Sequence, residues 1–350
     1  MYKWSTISIS FSNLLPCHQQ HSPPQQSGLV PAYSAESDSE DEGADKDEKE
    51  GRLTDWIQVF PLNKEIIIEG LSLLCQTGKK LEHAFIKLDL KDRALTDIIA
   101  ISSYIHIRFL DLSNNYISDL SPLASMTHLL WLKVDRNSMK SFKEQPLSEF
   151  TFLQWLSVAS NQIVDMEGLV GPSIETLILS GNSIQKINGL RNADFANLVI
   201  LELRGNQLET TSGFDLPNLR KLYLAQNFIK RLEGLEKLER LITLHLRDNQ
   251  LETLEGLCPE MKSLQYLNIR GNAIAEGDAL RSLHFLTSSL KTLVIAENPV
   301  VDAVPYRQTV LILLPQLERI DKEPVTLTER TEARRTIRDD RAESATHTSL

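Results

Sequence analysis

At 350 residues with 41% hydrophobic and 24% charged content, the chain can bury a large core, and its formal net charge of -10 argues against bulk attraction to nucleic acid. Much of that charge is local, because the run from Glu36 to Glu50 holds nine acids against two lysines and leaves the rest nearly balanced. Cys17, Cys75 and Cys258 are odd in number and far apart, which speaks against a disulfide framework or a zinc site, and no apolar run approaches the roughly 18 residues of a membrane helix.

Residues 1–52 are rich in Gln, Pro and Ser and then in acids, a composition with too little apolar surface to offset the entropy of ordering, so a disordered acidic segment is expected. Its opening, MYKWSTISISFSNLLPC, is too interrupted by serine for a secretory signal, and a reducing compartment follows as the simplest reading. Ser37 and Ser39 sit among acids and are candidate phosphorylation sites, set against the plainer reading of a solvated tail. Residues 53–82 read as an N-terminal helical cap. Asn63 is placed to start a helix running to about Gln76, with Ile66, Ile67, Leu71, Leu74 and Cys75 as its apolar side and Gly78 as its stop.

From residue 83 to 300 the chain repeats itself. Leu201/Leu203/Asn206, Leu222/Leu224/Asn227 and Leu244/Leu246/Asn249 each spell L-x-x-L-x-L-x-x-N before a shorter leucine-spaced return, the signature of a leucine-rich repeat. The asparagine recurs at Asn115, Asn137, Asn161, Asn182, Asn206, Asn227, Asn249, Asn272 and Asn298, and an atypical first unit, IKLDLKDRAL, carries Arg93 in its place, giving ten coils. Alternation around each leucine pair predicts a short strand with one buried face, and stacking makes a parallel sheet. The asparagine amide, with two donors and an acceptor, is suited to satisfy the buried turn that leaves the strand, in its own coil and the next.

The return limb has period three, as in Ile229, Leu232, Leu235, Leu238 and Leu241, which suits 3₁₀ turns better than α-helix. Gly168, Gly189, Gly213, Gly234 and Gly256 each fall seven residues after a repeat asparagine, where a turn needs an unusual backbone angle. Residues 301–322 read as a C-terminal cap through Tyr306, Val310, Leu311, Leu314, Leu317 and Ile320. Residues 323–350 form a charged tail without an apolar stripe, expected as an exposed helix or disordered. The fold class is therefore an α/β solenoid with a concave parallel sheet and a convex side of 3₁₀ segments and turns, capped at both ends.

No phosphate-cradling loop, metalloprotease helix, nucleophile elbow or calcium loop occurs in the sequence, so no enzyme, cofactor, metal site or small-molecule substrate is expected. Binding is the better-supported activity. The outward strand positions of successive coils lie about 4.8 Å apart and make one surface. Along it fall Asp111, Trp131 with Lys133, Trp155, Glu202 with Arg204, Tyr223, His245 with Arg247, and Tyr266 with Arg270. Trp, Tyr and Arg are the types that most often anchor protein interfaces, and the three arginines suit an acidic segment. Each residue is equally open to the plainer reading of packing on a neighbouring coil.

With the coils in place, the sequence resembles the short-repeat leucine-rich family that includes phosphatase-regulatory subunits and the spliceosomal A-prime protein. It is most similar to the axonemal radial-spoke branch, in EGLSLLCQTG (Glu69 to Gly78), SYIHIRFLDLS (Ser103 to Ser113), MTHLLWLK (Met126 to Lys133), LRGNQLE, LYLAQN, TLHLRDNQ and EMKSLQYLNIRGN (Glu260 to Asn272). The likeness covers about residues 60 to 322. It implies a non-enzymatic adaptor of the third radial spoke in motile cilia and sperm flagella. Radial-spoke head proteins and other axonemal proteins are the implied partners, in the axonemal cytoskeleton, with neither nucleic acid nor membrane. The family's acidic N-terminal segment and charged helical tail, the latter linked with spoke-head binding, have counterparts here. The alternative within the wider family is a soluble regulatory subunit that grips a protein phosphatase on the concave face.

Overall fold

The computed structural model describes residues 60–77, 82–303 and 305–347. The acidic segment, with Ser37 and Ser39, lies outside them. Helix α1 (Lys64–Gly70) is followed by strands β1 (Leu71–Gln76), β2 (His83–Asp89), β3 (Phe109–Asp111), β4 (Trp131–Lys133), β5 (Trp155–Ser157), β6 (Thr176–Ile178) and β7 (Ile200–Glu202). Then come β8 (Lys221–Tyr223), β9 (Thr243–His245), β10 (Tyr266–Asn268), β11 (Thr292–Val294), helices α2 (Val300–Ala303) and α3 (Tyr306–Leu313), strands β12 (Arg319–Ile320) and β13 (Glu323–Pro324), and helix α4 (Leu327–His347). All strands join one sheet in chain order; β2 to β12 run parallel, whereas β1 and β13 run antiparallel to their neighbours.

Every repeat places its two inward strand residues, such as Leu222 and Leu224 or Leu132 and Val134, in a continuous buried core that the apolar residues of the return limb complete from the other side. Burial of a leucine side chain contributes roughly 1.5–3 kcal/mol, so this periodic set supplies the main driving force. The period-three returns are indeed 3₁₀ where they are helical, at Ile99–Ser103, Ser121–Leu123, Pro146–Glu149, Leu235–Lys237 and Gly277–Leu286. Phe142, Phe150, Phe195 and Phe214 are the largest fully buried side chains and fill the return side of coils where leucine alternates with phenylalanine.

The asparagines form a buried ladder. Asn227 accepts the Leu208 amide N–H at 3.1 Å and donates to the carbonyls of Leu203 (3.0 Å), Leu224 (3.0 Å) and Ala225 (3.3 Å). The same pattern recurs from Asn115 to Asn298. Each amide therefore stitches its own coil to the preceding one, rather than to the following one as the sequence suggested. The first coil shows why Arg93 is tolerated. Its preceding neighbour, β1, is antiparallel and offers no equivalent carbonyl, so Arg93 leaves the core and pairs with Glu69 of α1 at 3.0 Å.

The residue before each ladder position adopts a left-handed backbone in every coil, whatever its type, from Asp92 (φ 58) through Ser160 (φ 53) and Gln226 (φ 57) to Glu297 (φ 60). The glycines seven residues after the asparagine are also left-handed, and at Gly256 (φ 104) a Cβ would lie 2.0 Å from the Leu232 carbonyl oxygen.

The N-terminal cap differs from expectation. Asn63 does cap a helix, accepting the Ile66 amide at 2.9 Å, but the helix ends at Gly70 and LSLLCQ continues as strand β1. Gly70 lies against the Asp89 carbonyl, where a Cβ would approach to 2.3 Å, and β2 would otherwise leave its backbone edge unpaired. At the other end α3 covers the last coil with Val310 and Leu311, while Asp321 accepts the Ile295 and Ala296 amides at 2.8 Å each and the Tyr306 hydroxyl at 2.9 Å.

The charged tail is ordered as α4 over residues 327–347, and its first turns are docked. Thr326 and Glu329 form a capping box, with the Thr326 hydroxyl accepting the Glu329 amide and the Glu329 carboxylate accepting the Thr326 amide. Arg307 of α3 pairs with Glu329 at 2.6 Å and holds that carboxyl down at about 2, Ala333 is buried, and Arg330 donates to the Pro315 and Leu317 carbonyls. Polar contacts fix the helix, which is why an apolar stripe was not needed.

Two stability predictions follow from this geometry. Asn227→Ala, which removes four hydrogen bonds, three of them buried, is expected to cost about 2–4 kcal/mol in urea unfolding, while exposed Glu239→Ala stays within about 0.5 kcal/mol. Gly256→Ala should lower the melting temperature more than Gly181→Ala, because at Gly181 (φ 67) the nearest atom to a new Cβ is the Ser160 hydroxyl at 3.2 Å rather than a backbone carbonyl.

Candidate protein-binding face

In each of β3 to β11 the residues flanking the central leucine project from the sheet face away from the core, and parallel register sets them in columns. Phe109, Trp131 and Trp155 stand in register in one column, followed by Thr176 and Ile200. Asp111, Lys133, Ser157, Ile178, Glu202, Tyr223 and His245 make the next. All the expected face residues are partly or fully exposed.

Trp131 and Trp155 stack with ring centroids 4.6 Å apart and an interplanar angle of 10°. Tyr223, His245 and Tyr266 form a second stack, each step 4.9 Å, at 29° and 28°. Stacking fixes these rings face to face with little rotamer freedom left to lose, so aromatic surface is presented at low entropic cost. The two stacks are separated by β6 and β7, which contribute Thr176, Ile178, Ile200 and Glu202. Sequence reasoning missed a third pair, His128 stacked on Phe152 at 5.4 Å just before β4 and β5, on the flank of the same coils that carry the tryptophans. Its signal was available as two ring side chains at equivalent repeat positions.

The arginines are less free than the sequence suggested. Arg204 donates to the Gln226 side chain at 2.9 Å, Arg247 pairs with Asp248 at 3.1 Å, and Arg270 makes a two-point contact with Glu297 that holds the Glu297 carboxyl below its usual range. Lys133 pairs with Asp135 at 3.6 Å, and Asp111 accepts the amide and hydroxyl of Ser113.

Electrostatics single out the centre of the face. Burial pushes the Glu202 carboxyl up to about 7, against a smaller downward pull from the Arg204 amide. Burial also pulls His245 down to about 4, so its imidazole is neutral at physiological pH. Among the described residues there is no cluster of three or more His, Cys, Asp or Glu arranged to hold a metal, and no helix long and apolar enough to cross a membrane.

A parallel sheet face over an asparagine-stitched leucine core defines a leucine-rich repeat scaffold, a fold for protein interaction. A leucine-rich repeat family profile matches residues 200–348, which include α3 and α4, and a second matches residues 106–126. Leucine-rich repeat-containing protein 23 of Homo sapiens is 47% identical over 279 residues, covering 80% of each chain. That of Mus musculus is 49% identical over 79% of this chain and 80% of its own, and that of Xenopus tropicalis 46% over 79% and 78%. The chain belongs to the leucine-rich repeat-containing protein 23 family. The crystal structure of the TLR13-ssRNA13 complex matches with a TM-score of 0.55 and 22% identity over 67% of this chain and 36% of that one, a likeness of fold alone.

Because the folded state holds the Glu202 proton up to about pH 7 while the unfolded chain releases it near 4.5, the fold loses stability as pH rises through that window. Glu202→Gln should therefore raise stability at pH 7.5 by at least about 1 kcal/mol, with the gain gone below pH 4.5, as read by urea titrations across pH.

Proposed function

We propose that this protein is a non-enzymatic structural adaptor of the axonemal radial spoke, in the head region of the third spoke of motile cilia and sperm flagella. It binds radial-spoke head proteins and other axonemal proteins and supports flagellar motility. The observation that carries the reading is the near-half identity to leucine-rich repeat-containing protein 23 over about four-fifths of the chain. The binding surface in this reading is the concave sheet face with Trp131, Lys133, Trp155, Arg204, Tyr223, His245, Arg247, Tyr266 and Arg270. Its support is physical: the aromatic stacks are rigid and solvent-presenting, and the coils of β4 and β5 carry aromatic pairs on both the face and its flank. Helix α4, held by Arg307 and Arg330, offers a charged surface beside the last coil.

Two measurements test this. The protein should remain with demembranated axonemes and leave only in high salt, whereas recovery in the detergent-soluble pool together with phosphatase would replace the adaptor by a phosphatase regulatory subunit. In addition, Trp131→Ala, Trp155→Ala and Arg247→Ala combined should abolish co-precipitation of spoke-head proteins while leaving the melting temperature near that of the parent. Unchanged co-precipitation would remove the concave face from the reading.

A further inference from the structure

We propose that Glu202, at the centre of the concave sheet face, receives a lysine or arginine side chain of the bound protein segment, so that the partner is recognised through a cation beside the Tyr223 ring rather than through acids at the arginines. The inference rests on the reading that this face binds a protein segment, and adds the charge of what it binds.

The first observation is that the carboxylate is unmatched. One oxygen accepts the Arg204 amide at 3.2 Å, and Glu202 makes no ion pair among the described residues. The neighbouring cation is turned elsewhere, since the Arg204 guanidinium donates to Gln226 one coil on. The register explains the burial: Glu202 lies between Ile178 of β6 and Tyr223 of β8, and its own strand contributes Ile200. A carboxylate set between isoleucine and tyrosine is desolvated without a counter-charge, a costly arrangement that a docking cation relieves.

The second observation is that no cation of the neighbouring strands pairs with it. The outward groups of β6 are Thr176 and Ile178, neither of which titrates; those of β8 are Lys221, in register with Ile200 rather than Glu202, and Tyr223. His245, one strand further, stays neutral. The arginines meanwhile have partners within the chain: Asp248 for Arg247 and Glu297 for Arg270. At the centre of the face Glu202 is thus an acid without an ion pair among the described residues, and an aromatic ring beside it suits a cation, whose attraction to the ring face adds to that of the carboxylate.

A proton linkage accompanies the contact. The free face holds its proton up to about pH 7, and a bound cation favours release, so affinity is full above that pH and falls as pH drops below it.

The test is selection of a random phage-displayed peptide library on the full-length protein at pH 7.5, followed by affinity measurement of the selected peptides. The expected peptides share a lysine or arginine at one fixed position, weaken about tenfold with Glu202→Gln and are lost with Glu202→Lys. They also fail to bind the Trp131→Ala, Trp155→Ala variant, and lose affinity between pH 7.5 and 6 for the parent but not for Glu202→Gln. Glu202→Gln keeps the Arg204 contact and is expected to fold, which a thermal melt verifies. Peptides that need the tryptophans but bind Glu202→Gln unchanged would overturn the cation contact and leave the face standing. Peptides indifferent to both sets of changes, or no peptides at all, would remove the face and the contact together.

Discussion

The structure depends on one recurring contact, the side-chain amide of the repeat asparagine satisfying backbone groups of two coils at once. A solenoid has to turn its chain sharply inside a closed core, and the groups exposed by that turn have no water to bond. Asn182, for example, accepts from Ile163 and donates to the carbonyls of Val158 and Leu179, so its single side chain serves the strand end of one coil and the turn of its neighbour. Leucine packing supplies most of the driving force, but leucine alone does not specify where each coil turns. The amide does, and it does so relative to the coil before it, which transmits register along the stack.

That division explains what could be read from sequence. Periodic features were legible because each coil offers the same environment to the same residue: the leucines, the nine asparagines, the 3₁₀ returns and the left-handed glycines are of this kind. The end of α1 was not legible. LSLLCQ is an apolar run that fits a helix or a strand, and only the unpaired edge of β2 together with the close approach at Gly70 decides for a strand. The left-handed residue before each asparagine was equally hidden, since Asp92, Arg136, Ser160 and Gln226 share no chemistry, and only Gly181, Gly205 and Gly271 hint at it. The docking of α4 was missed for the reverse reason, because it uses an ion pair, hydrogen bonds to backbone carbonyls and a capping box where an apolar stripe was sought.

The binding face shows the same limit more sharply. Which side chains face outward follows from alternation, but what they do there depends on neighbours a full coil away. The pairing of Arg270 with Glu297 and the isolation of Glu202 between Ile178 and Tyr223 are properties of adjacent strands. A sequence window places three arginines and sees a basic surface; the assembled sheet neutralises two of them with acids of its own and leaves the half-buried Glu202 carboxyl without an ion pair among the described residues.

The antiparallel strands at the two ends have a consequence for how such a rod takes its place among other proteins. Coils add to one another only while polarity is kept, because each new strand must offer its carbonyls to an amide pointing the same way. β1 and β13 reverse that polarity, and β13 is two residues long, so the stack carries its own terminators. A second copy cannot prolong the ladder head to tail. Extension by the same pairing is thereby blocked, and the number of coils, counted once in the sequence, fixes the length of the stack.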